Sequence, residues 1–420
     1  MTEQSTLPSN IVANILAKAV SVSPQRQLSA GECRTPSGTI CTLCSAHRIE
    51  YAQEKKAKNE ALQQFWELHC GAQPFSELVP SPLGRNYRVV TKRKVFISAG
   101  KIQLGLIGVD EGGAGLSPIQ VGHCAIEPEP HARIYRLVQD FFQRREMRNL
   151  GETMNYVIIK GNYEQFTVIF NLALFSPEIR QIINRLSKHI TEAVPGVSGV
   201  FIVVDEKRSQ YYMPQRNERQ KQQFQKIFGK SAVFQKVSGR KFFFSPLSFS
   251  QTNLSIMEVF ISTMKELLAL GPGDHLLDLY SGYGVFSLSL AGHVRKVTGV
   301  EISNDAISDA IENARRQNAA NCRFLHGDID GESLERIFSS QRTITKVILD
   351  PPRNGTKPDV IEIIAAKNIH RALHIFCNID LLPSELKRWK QCGYEVASAI
   401  PFDMFPGTNE AEIMVLLKRS

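Results

Sequence analysis

The stretch Leu276-Leu277-Asp278-Leu279-Tyr280-Ser281-Gly282-Tyr283-Gly284 decides the fold of this chain. An apolar run closes on acidic Asp278 and passes into a Gly-x-Gly turn, and the residues after the turn suit a helix. Outward from there, 296–301, 322–326, 346–350 and 372–377 read as strands, and 304–318, 359–367 and 384–392 as helices. The last two strand patterns, 395–401 and 412–418, lie close enough to pair as a hairpin. Regular alternation of this kind gives an α/β fold, a mostly parallel sheet with helices on both faces.

Ligands of such sheets bind at the carboxyl ends of the strands, and that edge collects the chemistry here. Gly282 and Gly284 let the backbone approach a ligand closely. Glu301 closes the next strand about 20 residues on, where a carboxylate can accept from both hydroxyls of a ribose. Asp328, after the third strand, is placed for the edge of an adenine. The loop lacks the third glycine that opens a helix onto a pyrophosphate, which favours S-adenosylmethionine over a dinucleotide; a glycine-bearing turn in some other α/β protein stays open at this point. Asp350-Pro351-Pro352-Arg353 ends the fourth strand, its prolines stiffening the turn that holds Asp350. Cys377 ends the next strand, ahead of a helix whose N-terminal dipole favours a thiolate. Glu412 opens the last. A thiol and a carboxylate at one mouth suit attack on a ring followed by proton removal. The plainer alternatives are a small buried cysteine and a salt-bridging glutamate. Cys322 and Cys392 read as structural.

Phe249-Ser250-Gln251-Thr252-Asn253, the Asp278 loop, Glu301, Asp350-Pro351-Pro352-Arg353-Asn354-Gly355, Phe376-Cys377-Asn378 and Asp403-Met404-Phe405-Pro406 together resemble the RNA (uracil-5-)-methyltransferase family. The resemblance covers the C-terminal half closely and reaches back more loosely to residue 33. It implies a Rossmann-like class I methyltransferase domain with a C-terminal β-hairpin. It also implies that Gln251, Tyr280, Glu301 and Asp350 contact S-adenosylmethionine, that Cys377 attacks a uracil, and that Glu412 is the base. Two departures stand out. Phe376 replaces the usual serine before the cysteine, and Gly407 and Glu410 replace histidines of the final turn. A catalytically silent RNA-binding or ribosome-assembly protein is the rival these departures suggest.

Cys33, Cys41 and Cys44, with distant Cys124, offer four soft ligands, and their spacing alone admits zinc or an iron–sulfur cluster. The resemblance implies a 4Fe–4S cluster of the ribosomal-RNA branch, with a structural role; zinc and a lost site are the alternatives, and a full tetrad argues against a redox or radical enzyme. Cys70 lies outside the set.

The chain has 420 residues, 43% hydrophobic and 22% charged, with a net charge of +9. That length implies two or three domains, and that charge a polyanionic partner. We read 1–30 as a tail, 31–85 as the cysteine segment with a helix over 51–69, 86–245 as a central α+β RNA-binding domain, and 246–420 as the α/β domain. Lys92-Arg93-Lys94, Arg144-Arg145, Tyr211, Tyr212 and 216–230 are candidate RNA contacts, with 206–230 an exposed segment. Only about 32 residues precede Cys33, too few for the β-barrel many relatives carry, so RNA choice is expected to rest on the central domain. No run approaches the roughly 20 apolar residues of a membrane span, and no secretory signal opens the chain. A cytoplasmic monomer acting on RNA is expected, with ribosomal RNA ahead of tRNA.

Overall fold

The computed structural model describes residues 8–35, 38, 40–41, 43–71, 73–98, 100–109, 116–144, 148–208, 224–341 and 343–419. The segment read as a tail is a helix, α1 (Pro8–Val22). Val12 and Leu16, one turn apart, bury against Ala57, Ala61, Leu62, Phe65 and Trp66 of α2 (Tyr51–His69) and join the main core. A short helix is marginal alone, and this burial supplies the stability that its own sequence does not. Of the charged residues of α2, Lys55, Lys56 and Glu60 are exposed, but Glu54 and Lys58 are fully buried. Lys58 Nζ donates to Asp403 Oδ1 at 2.7 Å and lies 3.8 Å from Glu54, which is paired with Arg85 at 2.8 Å. Tyr51 donates to the other Asp403 oxygen at 2.9 Å.

The central region forms a seven-stranded sheet in the order β3-β2-β1-β4-β5-β6-β7. Its strands are β1 (Thr91–Ser98), β2 (Lys101–Val109), β3 (Leu116–Ile119), β4 (Met154–Gly161), β5 (Phe166–Leu172), β6 (Val197–Val204) and β7 (Phe224–Gly229). Pairing is antiparallel except between β5 and β6, which α5 (Pro177–Ala193) connects as a crossover. Helix α3 (Glu129–Phe142) precedes a short α4 (Arg148–Thr153). Ahead of β1, the N–H groups of Asn86, Arg88 and Val89 donate to Ala125, Ile126 and Thr252. Part of the expected exposed segment is β7, which pairs with β6. Arg93 is no RNA contact: it is buried, makes two 2.7 Å bonds to Glu127 and lies over the Tyr135 ring. Arg145, Tyr211, Tyr212 and 216–223 lie outside the described residues.

A two-stranded hairpin, β8 (Val233–Val237) with β9 (Arg240–Phe244), follows. Val233, Val237, Phe242 and Phe244 pack into the same core as α6 (Met257–Leu268). The second seven-stranded sheet has the order β12-β11-β10-β13-β14-β16-β15. Its members are β10 (His275–Leu279), β11 (Lys296–Glu301), β12 (Cys322–His326), β13 (Lys346–Leu349), β14 (Arg371–Phe376), β15 (Tyr394–Phe402) and β16 (Glu412–Arg419). The first five are parallel, and β16 inserts antiparallel between β14 and β15. Helices α7 (Val285–Leu290), α8 (Asn304–Arg316), α9 (Gly331–Ser340), α10 (Val360–Ala366) and α11 (Leu382–Gln391) complete the alternation. Strand alternation sends Leu277, Leu279, Val347 and Leu349 to the core shared with α1 and α2. It sends Leu276 and Ile348 to the core shared with the hairpin and α6. Among the described residues no helix is long and apolar enough to cross a membrane.

Truncating one member of a buried charge network strands the others without partners. Lys58→Ala should lose about 3–5 kcal/mol in urea unfolding, and a loss under 1 kcal/mol would show that Asp403 and Glu54 find other partners.

Candidate active site

Strand order reverses at β10, which has β11 on one side and β13 on the other. A crevice opens at the carboxyl edge of such a switch point. Asp278 sits in β10, and its buried carboxyl accepts from Ser287 at 2.6 Å through one oxygen, the other having no partner. Burial pushes its pKa up to about 7, more than the Ser287 bond lowers it. Tyr280 turns the chain with φ +66°, and its hydroxyl is buried without a partner. Gly282 and Gly284 follow at φ +53° and +88°. At Gly284 a Cβ would meet Phe324 at 3.0 Å, so both dihedral and space call for glycine.

Glu301 ends β11 and clamps the loop, one oxygen accepting from the Gly282 N–H at 3.1 Å and the other from Ser303 at 2.8 Å. Asp328, after β12, is ion-paired with Lys357. Gln251 approaches from the segment before α6, its carbonyl accepting from Gln235 at 2.8 Å.

Asp350 follows β13. Its carboxyl is raised by burial and then by the nearby charge of Asp278. Register fixes the remaining pair. Antiparallel partners run from Arg371↔Lys418 to Phe376↔Ile413, so Cys377 leaves β14 at the end of the ladder where Glu412 enters β16, and each lies within electrostatic reach of the other. Burial, and after it the Asp350 charge, raises the Glu412 pKa, with Arg353 pulling the other way. Buried carboxyls this close ionise in separate steps, so the first charge keeps the second group protonated.

The thiol does not follow the dipole argument. Burial, then Asp350 and Glu412, push the Cys377 pKa up to about 12. Helix α11 begins only at Leu382, beyond the reach of a dipole that fades within one turn. The free thiol is therefore neutral, its Sγ donating to the Pro351 carbonyl at 3.7 Å. Asn378 Nδ2 donates to the Arg353 carbonyl at 3.0 Å and straps the same loop to β14.

Phe376 fills the core, stacked on His374 with centroids 4.0 Å apart. It is a packing residue and not a mouth residue. Asp403 is likewise an anchor for α2 rather than a site group. Glu410 pairs with Arg353 at 2.8 Å across the outer rim. Sequence reasoning missed Glu385 of α11, whose one oxygen accepts from both the Thr356 N–H at 2.8 Å and its hydroxyl at 2.9 Å, pinning the end of the 350–355 turn. Nothing in the periodicity of α11 marks it apart from its burial.

The cysteines gather elsewhere. Cys33, Cys41, Cys44 and Cys124 line one cavity of about 320 Å³, which Thr252 and Thr408 also border. Among the described residues no three His, Cys, Asp or Glu side chains close around a single metal-sized point.

A thiol held neutral should alkylate slowly. Iodoacetamide modification of Cys377, followed by peptide mass spectrometry on the ligand-free protein, should climb about tenfold per pH unit from 8 to 10, since only the thiolate reacts. A plateau below pH 9 would contradict the raised pKa.

Comparison with known proteins agrees with this geometry. Residues 213–420 match the model of the tRNA (Uracil-5-)-methyltransferase family. An uncharacterized RNA methyltransferase of Clostridium tetani is 26% identical over 404 residues, spanning 92% of this chain and 84% of that protein. One from Geobacter sulfurreducens is 27% identical over 409 residues, spanning 96% and 80%. The solved Pyrococcus abyssi tRNA (uracil-54, C5)-methyltransferase, in complex with S-adenosyl-L-homocysteine, shares the fold at a TM-score of 0.65 and 19% identity, over 90% of this chain and 86% of that one. Residues 213–420, the C-terminal half, thus match the tRNA (uracil-5-)-methyltransferase family, and RNA methyltransferases resemble the chain over more than nine-tenths of its length.

Proposed function

We propose that this protein methylates C5 of a uridine in RNA, with S-adenosylmethionine as the methyl donor and Cys377 as the nucleophile. One observation supports the reading: Cys377 and Glu412 lie at the same end of the β14–β16 ladder, and the charges of Glu412 and Asp350 both reach the thiol. The cofactor supplies an electrophilic methyl on a sulfonium. Gly282, Gly284, Tyr280, Glu301, Asp328 and Gln251 surround its place, and the unpartnered Tyr280 hydroxyl and Asp278 oxygen are polar atoms that a bound ligand would satisfy.

C5 of uracil is a weak nucleophile. The Cys377 thiol passes its proton to solvent and adds as the thiolate to C6, and the ring electrons move to C5 as an enolate. A cation in the crevice favours both this thiolate and the Glu412 carboxylate, offsetting the burial and neighbouring charge that raise their pKa values in the free protein. A bound S-adenosylmethionine would supply its methyl to C5, leaving as the neutral thioether. Glu412 takes the C5 proton, and those electrons expel Cys377 as a thiolate. Asp350 orders the ring.

Cys33, Cys41, Cys44 and Cys124 would hold a 4Fe–4S cluster. Four thiol ligands suit iron–sulfur chemistry or zinc, but a tetrahedral zinc needs every sulfur at ~2.3 Å, and the cysteines border a cavity with room for several atoms. The cluster would tie the N-terminal segment to the central sheet. The resemblance of this cysteine set to that of the family's ribosomal-RNA branch favours ribosomal RNA of the large subunit as substrate. A transfer RNA is the second reading, favoured by the family description and the Pyrococcus neighbour. The protein acts as a cytoplasmic monomer in either case.

Mapping 5-methyluridine in 23S ribosomal RNA and tRNA, with and without the gene, decides between the two. RNA carrying 5-fluorouridine should become covalently bound to wild type and not to Cys377→Ser. Glu412→Gln should slow turnover by about 10²–10⁴-fold and accumulate an adduct with ordinary uridine. Full turnover by Cys377→Ser would end this reading. Separately, Cys124→Ser purified without oxygen should lose the roughly four irons per chain that one such cluster brings; unchanged iron would remove Cys124 from the ligand set.

A further inference from the structure

In β8 the inward positions are Val233, Gln235 and Val237, and the middle one is polar. Gln235 is completely buried. An amide there carries two donors and an acceptor into an apolar layer, a costly choice unless each is paired. Each is. Nε2 donates to the Gly161 carbonyl at 3.1 Å and to the Gln251 carbonyl at 2.8 Å. Oε1 accepts from the Tyr283 hydroxyl at 2.6 Å. The reverse amide orientation would set an oxygen against two carbonyls, so the network itself fixes the orientation.

The three partners belong to three working parts. Gly161 ends β4 in the central sheet. Gln251 lies in the segment entering the crevice. Tyr283 sits between Gly282 and Gly284 of the cofactor loop. Neighbouring bonds reinforce the junction: Asn162 Nδ2 donates to the Phe234 carbonyl at 3.0 Å, and Lys160 Nζ to the Ser248 carbonyl at 2.8 Å. Gln235 is thus one side chain on which the end of the central sheet, the Gln251 segment and the Gly-Tyr-Gly turn all converge.

We infer that Gln235 is a positioning residue that couples RNA binding on the central domain to the setting of the cofactor loop. This rests on the proposed reading of both sites. RNA held against the central sheet fixes the end of β4. Through Gln235 that fixes the Gln251 carbonyl and the Tyr283 hydroxyl, and the loop then needs less ordering to take the cofactor. Linkage makes the effect mutual, so bound cofactor product tightens RNA by the same factor.

Equilibrium dialysis of labelled S-adenosylhomocysteine, with and without saturating bulk RNA from cells lacking the gene, reads the coupling as a ratio of affinities. A general weakening of either site cancels in that ratio. Wild type should bind about tenfold tighter with RNA, within the usual 5–150-fold span. Gln235→Glu keeps the shape and the acceptor but loses both donors, and Gln235→Leu loses all three bonds; both should bring the ratio within twofold of one. Tyr283→Phe removes a single oxygen, tests the same link if either Gln235 variant fails to fold, and should also lower the ratio. Ratios in the folded variants within twofold of the wild-type value, or a wild-type ratio of one, overturn the inference. Wild type that binds S-adenosylhomocysteine and RNA yet shows no coupling refutes only this inference; wild type that binds neither refutes the reading of the sites beneath it.

Discussion

The antiparallel insertion of β16 beside β14 is the constraint on which the proposed reacting groups depend. A strand pair has a side-chain period of two, so a slip of one residue would send Glu412 to the opposite face from Cys377. The register is held by apolar residues on both faces: Ile413, Val415 and Leu417 lie in one core, Met414 and Leu416 in the other. Hydrophobic burial thus fixes a polar contact at the end of the same ladder. The parallel pairing does the same for Asp278, set within β10 opposite Ile348, and for Asp350, which directly follows β13.

The N-terminal segment takes part in this site without entering it. Glu54 accepts from the Gly407 N–H, Ala46 donates to the Gly407 carbonyl at 2.9 Å, and the Tyr87 hydroxyl donates to the Pro406 carbonyl at 3.0 Å. The final turn before β16 is therefore held from three places in the first 90 residues. Gly407, with φ +89°, fits that turn where a histidine would be strained. The cysteine cavity touches the same turn at Thr408 and the crevice segment at Thr252. Order in the cysteine segment and order at the reacting edge are parts of one contact network.

Much of the second sheet was legible, because parallel strands buried on both faces read as continuous apolar runs with glycines at the turns. The convergence of Cys377, Glu412 and Asp350 was legible for the same reason: each closes or opens a strand. What stayed hidden depends on contacts distant in sequence. Arg93 reads as a surface base until Glu127 and Tyr135 are placed around it. Lys58 and Glu54 read as the wet side of a helix until Asp403 arrives from some 345 residues away. The thiol's raised pKa is likewise a property of burial and of carboxylates on other strands, neither of which a local helix dipole reveals. Gln235 left one trace, a polar residue in an inward β position.

The β8–β9 hairpin has a practical consequence for taking the protein apart. Phe242 and Phe244 lean on Tyr283, and Phe243 exchanges backbone bonds with Asn313 of α8. Although it follows the central sheet in the chain, the hairpin is the lid of the catalytic half. A fragment cut just after it would bare an aromatic floor to water and invite self-association, whereas a cut before Val233 would carry its own cover.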